Sequence, residues 1–246
     1  MTNGQKWKYG MLGALLPTVI LILILIAAVV VIRFVMEMGP KDIARKTEQY
    51  AQLAELAPQN ATVFFGDSIT EYCSVENIYA EYSQKSASPI INRGISAETT
   101  DNMLKRVEDS VIVMQPRNLV MLMGVNDLSQ GVPQDQILYN IRSIINLVQE
   151  KSPKTNIVLQ AVYPTGAERD SLYENFQLKG RDSSTVAELN KKLAVMAKEE
   201  NVRFLDFTEI LSDENGNLRA EYTFDGLHPN TAGYLAVRDK IVAELV

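Results

Sequence analysis

The distribution of apolar and polar residues divides the chain into an apolar N-terminal segment and a longer mixed remainder. Residues 9–32 contain no charged side chain, and their centre is a run of leucine, isoleucine, valine and alanine. As a helix with about 1.5 Å rise per residue, this segment would be roughly 36 Å long, which is enough to cross a hydrocarbon layer about 30 Å thick. The pattern therefore predicts one transmembrane helix near the N-terminus.

Beyond residue 60, short apolar runs alternate with segments of helical periodicity. The runs, which predict buried strands, are residues 61–65, 89–92, 118–123, 156–162 and, more weakly, 203–207. Strands that alternate with helices indicate a mostly parallel sheet covered on both faces. We therefore predict an α/β fold, doubly wound, with a mostly parallel five-stranded sheet flanked by helices.

Three of the intervening segments carry apolar residues at helical spacing. These residues are Ile137, Ile141, Ile144 and Val148 in the first segment, Val186, Leu189, Leu193 and Met196 in the second, and Tyr234, Val237, Ile241 and Leu245 in the third. Pro133 precedes the first segment, and Thr185 with Glu188 forms a predicted capping box at the start of the second. Each spacing is typical of a helix that buries one face.

These patterns divide the chain into four segments. Residues 1–8 form a short N-terminal tail, residues 9–36 the transmembrane anchor, residues 37–60 a connector helix and residues 61–246 a globular domain. Gly39-Pro40 is expected to break the anchor helix, because proline removes a helical hydrogen bond and clashes with the preceding turn. The globular part is long enough for one domain with a sizeable core.

A cleavable signal peptide is the alternative interpretation of the apolar segment, but such peptides have apolar cores of only about 7–15 residues and a small-residue cleavage site. The run here is longer and no convincing cleavage site follows it, which favours a retained anchor.

The orientation of the anchor is predicted from its flanking charges. The basic residues are Lys6 and Lys8 before it, and Arg33, Lys41, Arg45 and Lys46 after it. Their number slightly favours a cytoplasmic C-terminal side, whereas a short N-terminal tail commonly stays inside and long domains cross the membrane largely regardless of charge. We expect a single-pass cell membrane protein with an extracytoplasmic domain.

Composition narrows the possible partners and chemistry. The net charge is −6 and the body of the chain has no basic cluster, which argues against a nucleic-acid partner. Cys73 is the only cysteine and His228 the only histidine, so an intrachain disulfide and the common Cys/His zinc sites are excluded. A carboxylate-only metal site is left open, but nothing in the sequence points to one.

Polar residues and glycines follow each of the first three predicted strands. They are Gly66-Asp67-Ser68 after the first strand, Asn92-Arg93-Gly94 after the second, and Gly124-Val125-Asn126-Asp127 after the third. In open α/β sheets, ligands bind at the carboxyl ends of the strands, so these turns are expected to face one site. Asp225 and His228 lie in the loop before the last predicted helix, from which they can reach the same edge.

Together these residue types suit acyl transfer. A serine hydroxyl becomes a good nucleophile when a base takes its proton, and histidine does this near pH 7. A carboxylate on the other ring nitrogen fixes the tautomer and stabilises the imidazolium. Donors aimed at the developing oxyanion contribute about 2.7–4 kcal/mol each.

Each motif alone also has a plain structural explanation. Gly-Asp-Ser can be a turn that starts a helix, with Asp67 or Ser68 as its cap. Gly124-x-Asn-Asp can be another strand-to-helix turn, Gly94 can be a residue with positive φ, and a lone histidine is usually a core or surface residue. The joint order and placement of the motifs favour the catalytic interpretation.

The chain resembles the SGNH hydrolase superfamily, whose members are also called GDSL esterases or lipases. The blocks that carry the resemblance occur in order: VFFGDSIT at 63–70, NRGISAETT at 92–100, LMGVNDL at 122–128 and DGLHPNTAGY at 225–234. The Gly-x-Ser-x-Gly motif of α/β-hydrolases is not present around Ser68. The resemblance implies an SGNH, flavodoxin-like three-layer fold and an enzyme that needs no metal or organic cofactor.

The resemblance also implies roles for individual residues. Ser68 is the expected nucleophile and His228 the expected general base, oriented by Asp225. The expected oxyanion hole consists of the backbone N–H groups of Ser68 and Gly94 and the side-chain amide of Asn126. The residues expected to support these motifs are Gly66, Asp67, Gly124 and Asp127, and the two aspartates are expected to hold their turns by local hydrogen bonds.

The resulting hypothesis is a serine carboxylic-ester hydrolase that forms an acyl-enzyme on small acyl or acetyl esters or on lysolipids. Two alternatives stay open. An O-acyltransferase or O-acetylesterase acting on cell-envelope glycans would use the same residues, and a non-catalytic membrane-tethered binding protein would share the fold but have a damaged triad. The loop at 163–184 is expected to wall the pocket, but its composition does not identify a substrate.

Overall fold

The computed structural model describes residues 3–167 and 177–246 of the 246-residue chain. The predicted tail at 1–8 and the predicted pocket-walling loop at 163–184 therefore lie partly outside the described residues. The chain divides into two compact units, residues 1–45 and 46–246.

Helix α1 spans Asn3–Ala54 and contains both Pro17 and Pro40. The break predicted at Gly39-Pro40 is therefore wrong. A proline inside a helix costs about 3 kcal/mol, but its fixed φ is helical, and the segments on both sides of Pro40 favour helix. The predicted boundary between anchor and connector consequently falls inside one continuous helix.

In the first unit, the side chains of residues 19–34 are exposed. Helix α1 is long and apolar enough to cross a membrane, with a mean hydropathy of 3.3 in its apolar part. The helix agrees with the predicted anchor, and a signal sequence near the N-terminus can meet the same test of length and composition.

The second unit is built on a five-stranded sheet in which every neighbouring pair is parallel. Its strands are β1 at Thr62–Gly66, β2 at Ile90–Gly94, β3 at Asn118–Leu122, β4 at Asn156–Gln160 and β5 at Arg203–Leu205. Their order is β2-β1-β3-β4-β5, a doubly wound order that reverses direction between β1 and β3. The predicted fold class and its five strands are confirmed.

Helices connect the strands. The helices of the second unit include α2 at Ser68–Glu71, α3 at Val75–Ile78, α4 at Ala80–Ser86, α5 at Thr100–Ser110, α6 at Val125–Ser129, α7 at Gln134–Lys151, α8 at Ser183–Glu199, α9 at Thr208–Leu211 and α10 at Thr231–Ala243. Short 3₁₀ turns lie at Ile112–Met114 and Ala220–Tyr222. The apolar stripes predicted for three helices are buried, as Ile141 of α7, Leu193 of α8 and Ile241 of α10 illustrate. Leu245 is the exception, because it lies beyond the end of α10 and is half-buried.

The start of α8 differs from its prediction. Its N-cap is Asp182, whose carboxylate accepts hydrogen bonds from the Thr185 N–H at 3.0 Å and from the Thr185 hydroxyl at 2.7 Å. The capping box predicted for Thr185 and Glu188 is wrong, because the upstream carboxylate already satisfies the first turn. Glu188 pairs with Lys192 instead, at 3.1 Å.

The central strands β1 and β3 are buried along their whole length. Parallel strands that are covered on both faces are continuous apolar runs, which explains why their sequences show no alternation. In the register of the sheet, Gly66 at the end of β1 lies opposite Gly94 of β2 and Leu122 of β3. The turns that follow these three strands therefore leave the sheet side by side.

Candidate active site

Ser68 is the first residue of α2, immediately after β1. The N-cap of this helix is Asp67, whose Oδ1 accepts a hydrogen bond from the Ile69 N–H at 2.9 Å. This local bond agrees with the turn-holding role expected of Asp67. Ser68 is only 6% exposed, and its Oγ lies 2.9 Å from Nε2 of His228.

Asp225 shapes the turn that carries His228. Its Oδ1 accepts hydrogen bonds from the backbone N–H groups of Leu227 at 2.9 Å and His228 at 2.8 Å, and its Oδ2 lies 2.7 Å from Nδ1 of His228. An ionised carboxylate can only accept, so Nδ1 carries the ring proton and the Nε2 lone pair faces the Ser68 hydroxyl. Ser68, His228 and Asp225 thus form one hydrogen-bonded chain.

The electrostatics of Asp225 suit this arrangement. Burial disfavours the charged form of Asp225, but the hydrogen bonds from the His228 ring and from the two backbone N–H groups outweigh burial and lower its pKa to about 2. The carboxylate therefore stays ionised at neutral pH and stabilises a positive charge on the imidazole.

Tyr234 links the helix that follows His228 to the helix that begins at Ser68. It lies on α10, the helix that follows His228, and its hydroxyl donates to the backbone oxygen of Ile69 in α2 at 2.8 Å. The ring of Tyr72, at the other end of α2, lies 5.1 Å from the His228 ring and is 56% exposed. Sequence reasoning missed Tyr72, and it assigned Tyr234, the last residue of the block at 225–234, only to the buried face of its helix.

Asn126 lies in the first turn of α6, after β3, and is 5% exposed. Its Nδ2 donates to the backbone oxygen of Glu98 at 2.9 Å, and its Oδ1 accepts from the guanidinium of Arg181 at 2.7 Å. One of the two Nδ2 hydrogens is used in the bond to Glu98, which leaves the second available to a ligand.

Gly94 does not have the geometry expected of it. Its N–H donates to Oδ1 of Asn92 at 2.8 Å, so the expected oxyanion donor is already partnered. A Cβ at this position would lie 2.3 Å from the backbone nitrogen of Glu71, which means that Gly94 lets α2 pack against the end of β2. The glycine is therefore required for packing, and its N–H bonds within its own turn.

The turn after β2 offers a different donor. Ala97 is exposed and has φ of 65°, a left-handed conformation that alanine adopts only at a cost. Within residues 3–167 and 177–246, no hydrogen-bond partner is found for its N–H. The carbonyl of the next residue, Glu98, accepts the bond from Asn126, so this turn and Asn126 are neighbours. An alanine gives no sequence signal for positive φ, which is why sequence reasoning missed it.

Glu71, the last residue of α2, holds this turn against the helix of Ser68. One carboxylate oxygen of Glu71 accepts from the Ser96 N–H at 2.6 Å and from the Ser96 hydroxyl, and the other pairs with Lys46 at 2.5 Å. The position of the turn after β2 is thereby tied to the position of the serine.

The other motif residues have clear structural roles. A Cβ at Gly66 would lie 2.3 Å from the backbone oxygen of Leu122, and Gly124 has φ of 115°, so both positions require glycine. Asp127 accepts from the N–H of Thr100 and, at 2.6 Å, from its hydroxyl. The expectation that Asp127 bonds locally is wrong, because it joins the turn after β3 to the start of α5.

Asp67 has one further property. Its Oδ2 is buried without a hydrogen-bond partner among the described residues, and burial raises the pKa of this carboxyl to about 7.

Within the described part of the chain, no group of three or more His, Cys, Asp or Glu side chains could hold a metal ion.

Comparison with known proteins gives consistent matches. A model of the GDSL-like lipase/acylhydrolase family matches residues 64–236. Platelet-activating factor acetylhydrolase IB subunit alpha1 of Bos taurus is 27% identical over 178 residues, covering 71% of this chain and 70% of that protein. The isoamyl acetate-hydrolyzing esterase of Saccharomyces cerevisiae is 26% identical over 202 residues, covering 73% of this chain and 83% of that protein. A solved Streptococcus pneumonia structure, provisionally named a platelet activating factor, has a TM-score of 0.79 at 25% identity, covering 88% of this chain and 98% of its own.

We expect Gly94→Ala to destabilise the second unit by about 1–3 kcal/mol or more, because the new methyl group would overpack against the backbone of α2. Thermal unfolding of the full chain in detergent measures the effect. Gly39→Ala is the matched control, since a Cβ there meets nothing within 4 Å. An unchanged melting temperature combined with a large loss of turnover would instead support the original assignment of Gly94 to the oxyanion hole.

Proposed function

Because the chain belongs to the GDSL-like lipase/acylhydrolase family and is a hydrolase of ester substrates, we propose that it cleaves acetyl esters through an acyl-enzyme on Ser68. The observation that carries this proposal is the hydrogen-bonded chain from Ser68 through His228 to Asp225, with distances of 2.9 and 2.7 Å.

In the first step, His228 acts as the general base. Its Nε2 takes the proton of the Ser68 hydroxyl while Oγ attacks the ester carbonyl carbon, and the carbonyl oxygen becomes an oxyanion. The imidazolium that forms is stabilised by the ionised Asp225, whose depressed pKa keeps it charged. When the tetrahedral intermediate collapses, Nε2 returns the proton to the departing alcohol.

In the second step, water replaces the alcohol. His228 removes a proton from the water, the hydroxide attacks the acyl-enzyme carbonyl, and collapse releases the carboxylic acid and restores the Ser68 hydroxyl. An acceptor alcohol in place of water would make the same acyl-enzyme an acyltransferase. The curated relatives reported above are named for hydrolysis, which favours water as the acceptor.

Three donors are proposed for the oxyanion. The Ser68 N–H lies in the first turn of α2, where N–H groups have no partner within the helix. The second Nδ2 hydrogen of Asn126 is available, as described above. We assign the third donor to the Ala97 N–H in place of Gly94, because this N–H has no partner among the described residues and the carbonyl of the next residue, Glu98, accepts a bond from Asn126.

An acetyl group is the proposed acyl portion. Ser68 and Asn126 are 6% and 5% exposed, so the groups that must surround the acyl carbon leave little room. The names of the Bos taurus and Saccharomyces cerevisiae relatives both refer to acetyl groups, although the alcohols that carry them differ. The burial of Ser68 and Asn126 and the names of the two relatives therefore all favour a small acyl group, whereas they do not identify the alcohol.

We propose further that α1 anchors the enzyme in a membrane and that the hydrolase domain is extracytoplasmic. The exposed apolar side chains of residues 19–32 support the anchor, since an apolar helix of this length can cross a membrane. An anchored, exported esterase would meet acetyl esters of lipids or cell-envelope glycans at the membrane surface.

Ser68→Ala and His228→Ala should each abolish hydrolysis of p-nitrophenyl acetate, lowering kcat by at least about 10³-fold, because nucleophile and base act as one unit. No second histidine exists in the chain to replace the base. Ser143→Ala on α7 is the matched control, since among the described residues its hydroxyl bonds only to the Tyr139 carbonyl.

The same assay tests the acyl group. The wild-type protein should hydrolyse the acetyl ester with a kcat/KM at least about tenfold above that for the octanoyl ester, since each methylene that does not fit loses transition-state binding. Faster turnover of the octanoyl ester would contradict the acetyl assignment, and turnover retained in Ser68→Ala would contradict the nucleophile.

For the anchor, full-length protein in intact cells should remain with the membranes after a carbonate wash. Protease added outside the cells should then digest the hydrolase domain but leave a cytosolic marker protein intact. A domain released by carbonate, or shortened at its N-terminus, would indicate a cleaved signal sequence. A membrane-bound domain that resists protease would indicate a cytoplasmic location.

A further inference from the structure

A buried guanidinium lies behind the proposed oxyanion hole. Arg181, which precedes α8, is 8% exposed, and sequence reasoning gave it no role. Its Nε donates to the backbone oxygen of Val125 at 3.0 Å, one terminal nitrogen donates to Oδ1 of Asn126 at 2.7 Å, and the other donates to the Gln177 carbonyl. All three acceptors are neutral carbonyl oxygens.

This environment is costly for a cation. Buried charges in proteins are normally paired with an opposite charge, because desolvation otherwise disfavours them. Within residues 3–167 and 177–246, no carboxylate makes an ion pair with Arg181, although Asp67 and Asp225 are near enough to act on it electrostatically. The hydrogen bonds of Arg181 therefore go to neutral acceptors, and one of these acceptors is the side chain of Asn126.

The contacts of Arg181 determine how Asn126 is oriented. A guanidinium can only donate and a backbone carbonyl can only accept, so Arg181 fixes the Oδ1 end of the amide and the Glu98 carbonyl fixes the Nδ2 end. Both contacts require the same orientation. The second Nδ2 hydrogen is then the polar hydrogen of this side chain that donates no hydrogen bond among the described residues.

The same contact changes the strength of that hydrogen as a donor. A charge-assisted hydrogen bond to Oδ1 withdraws electron density from the amide nitrogen, and hydrogen bonds in series strengthen one another in a low dielectric. The bond from Arg181 to Val125 also fixes the backbone at the start of α6, from which Asn126 projects.

We propose that Arg181 is a positioning residue for the oxyanion: it orients and polarises the Asn126 amide, and through that amide it stabilises the negative charge of the transition state. This inference rests on the proposed function, in which Asn126 is an oxyanion donor. Arg181 touches no reacting atom, so its effect is expected on kcat and only in the presence of the Asn126 amide.

A double-mutant cycle on the full-length protein tests this proposal. Arg181→Lys, which keeps the charge but loses the planar fork, and Arg181→Met, which keeps the volume, are made alone and with Asn126→Ala. Turnover of p-nitrophenyl acetate is measured at saturation, with circular dichroism to monitor folding. Arg219→Lys is the matched control, since it removes a similar bond, from Nε to the Ser212 carbonyl at 2.7 Å.

We expect Asn126→Ala to lower kcat by roughly 10²–10³-fold, the usual effect of removing an oxyanion donor. Each Arg181 variant should lower kcat by about 10- to 100-fold with KM within about twofold of wild type, and should lower it by less than about twofold further when Asn126 is already alanine. Arg219→Lys should leave kcat unchanged.

Three results would overturn the inference. The first is an equal loss of kcat in both backgrounds, which would make Arg181 independent of Asn126. The second is an unchanged kcat in the Arg181 or the Asn126 single variants. The third is failure of both Arg181 variants to fold, which would make the residue structural. The first and third results leave the proposed function untouched, whereas an unchanged kcat in Asn126→Ala would also remove Asn126 from the proposed oxyanion donors. The proposed acyl-enzyme itself fails if Ser68→Ala retains turnover in the same assay, a result that none of these three implies.

Discussion

The parallel register of β1 with its two neighbours places Gly66 opposite both Gly94 and Leu122. Every other feature of the site depends on this constraint, because the three strands then end at one edge and their turns must share a small space. Side chains are absent at Gly66 and Gly94 since a Cβ at either position would lie 2.3 Å from neighbouring atoms. The close approach that results brings α2, and with it Ser68, to the centre of this edge.

Long-range hydrogen bonds then hold the turns in place. Glu71 ties the turn after β2 to α2, Asp127 ties the turn after β3 to α5, and Tyr234 ties the helix behind His228 to the backbone of Ile69. Each bond joins residues that are at least 25 positions apart in the chain. The proposed nucleophile, base and oxyanion donors come from four separate segments, and such cross-links keep these segments in register.

The sequence predicted the parts of this molecule that depend on local pattern. Buried central strands are continuous apolar runs, so the strands and the fold class could be predicted, and the motif order identified Ser68 and His228 as neighbours. The packing role of Gly94 could not be predicted, because glycine serves both packing and backbone donation, and only the tertiary contact with Glu71 and the bond to Asn92 indicate packing here. The contacts of Arg181 could not be predicted from the sequence, because its partners are carbonyl oxygens, which give no motif. The expectation that proline ends a helix was wrong at Pro40, because the segments on both sides of it form one continuous helix.

Mass spectrometry of the intact protein after reaction with a fluorophosphonate shows directly whether Ser68 is the nucleophile and His228 its base. We expect one covalent adduct, located by peptide mapping to the peptide that contains Ser68, and much slower labelling of His228→Ala. An adduct on another residue, or labelling that is equally fast without His228, would contradict these assignments.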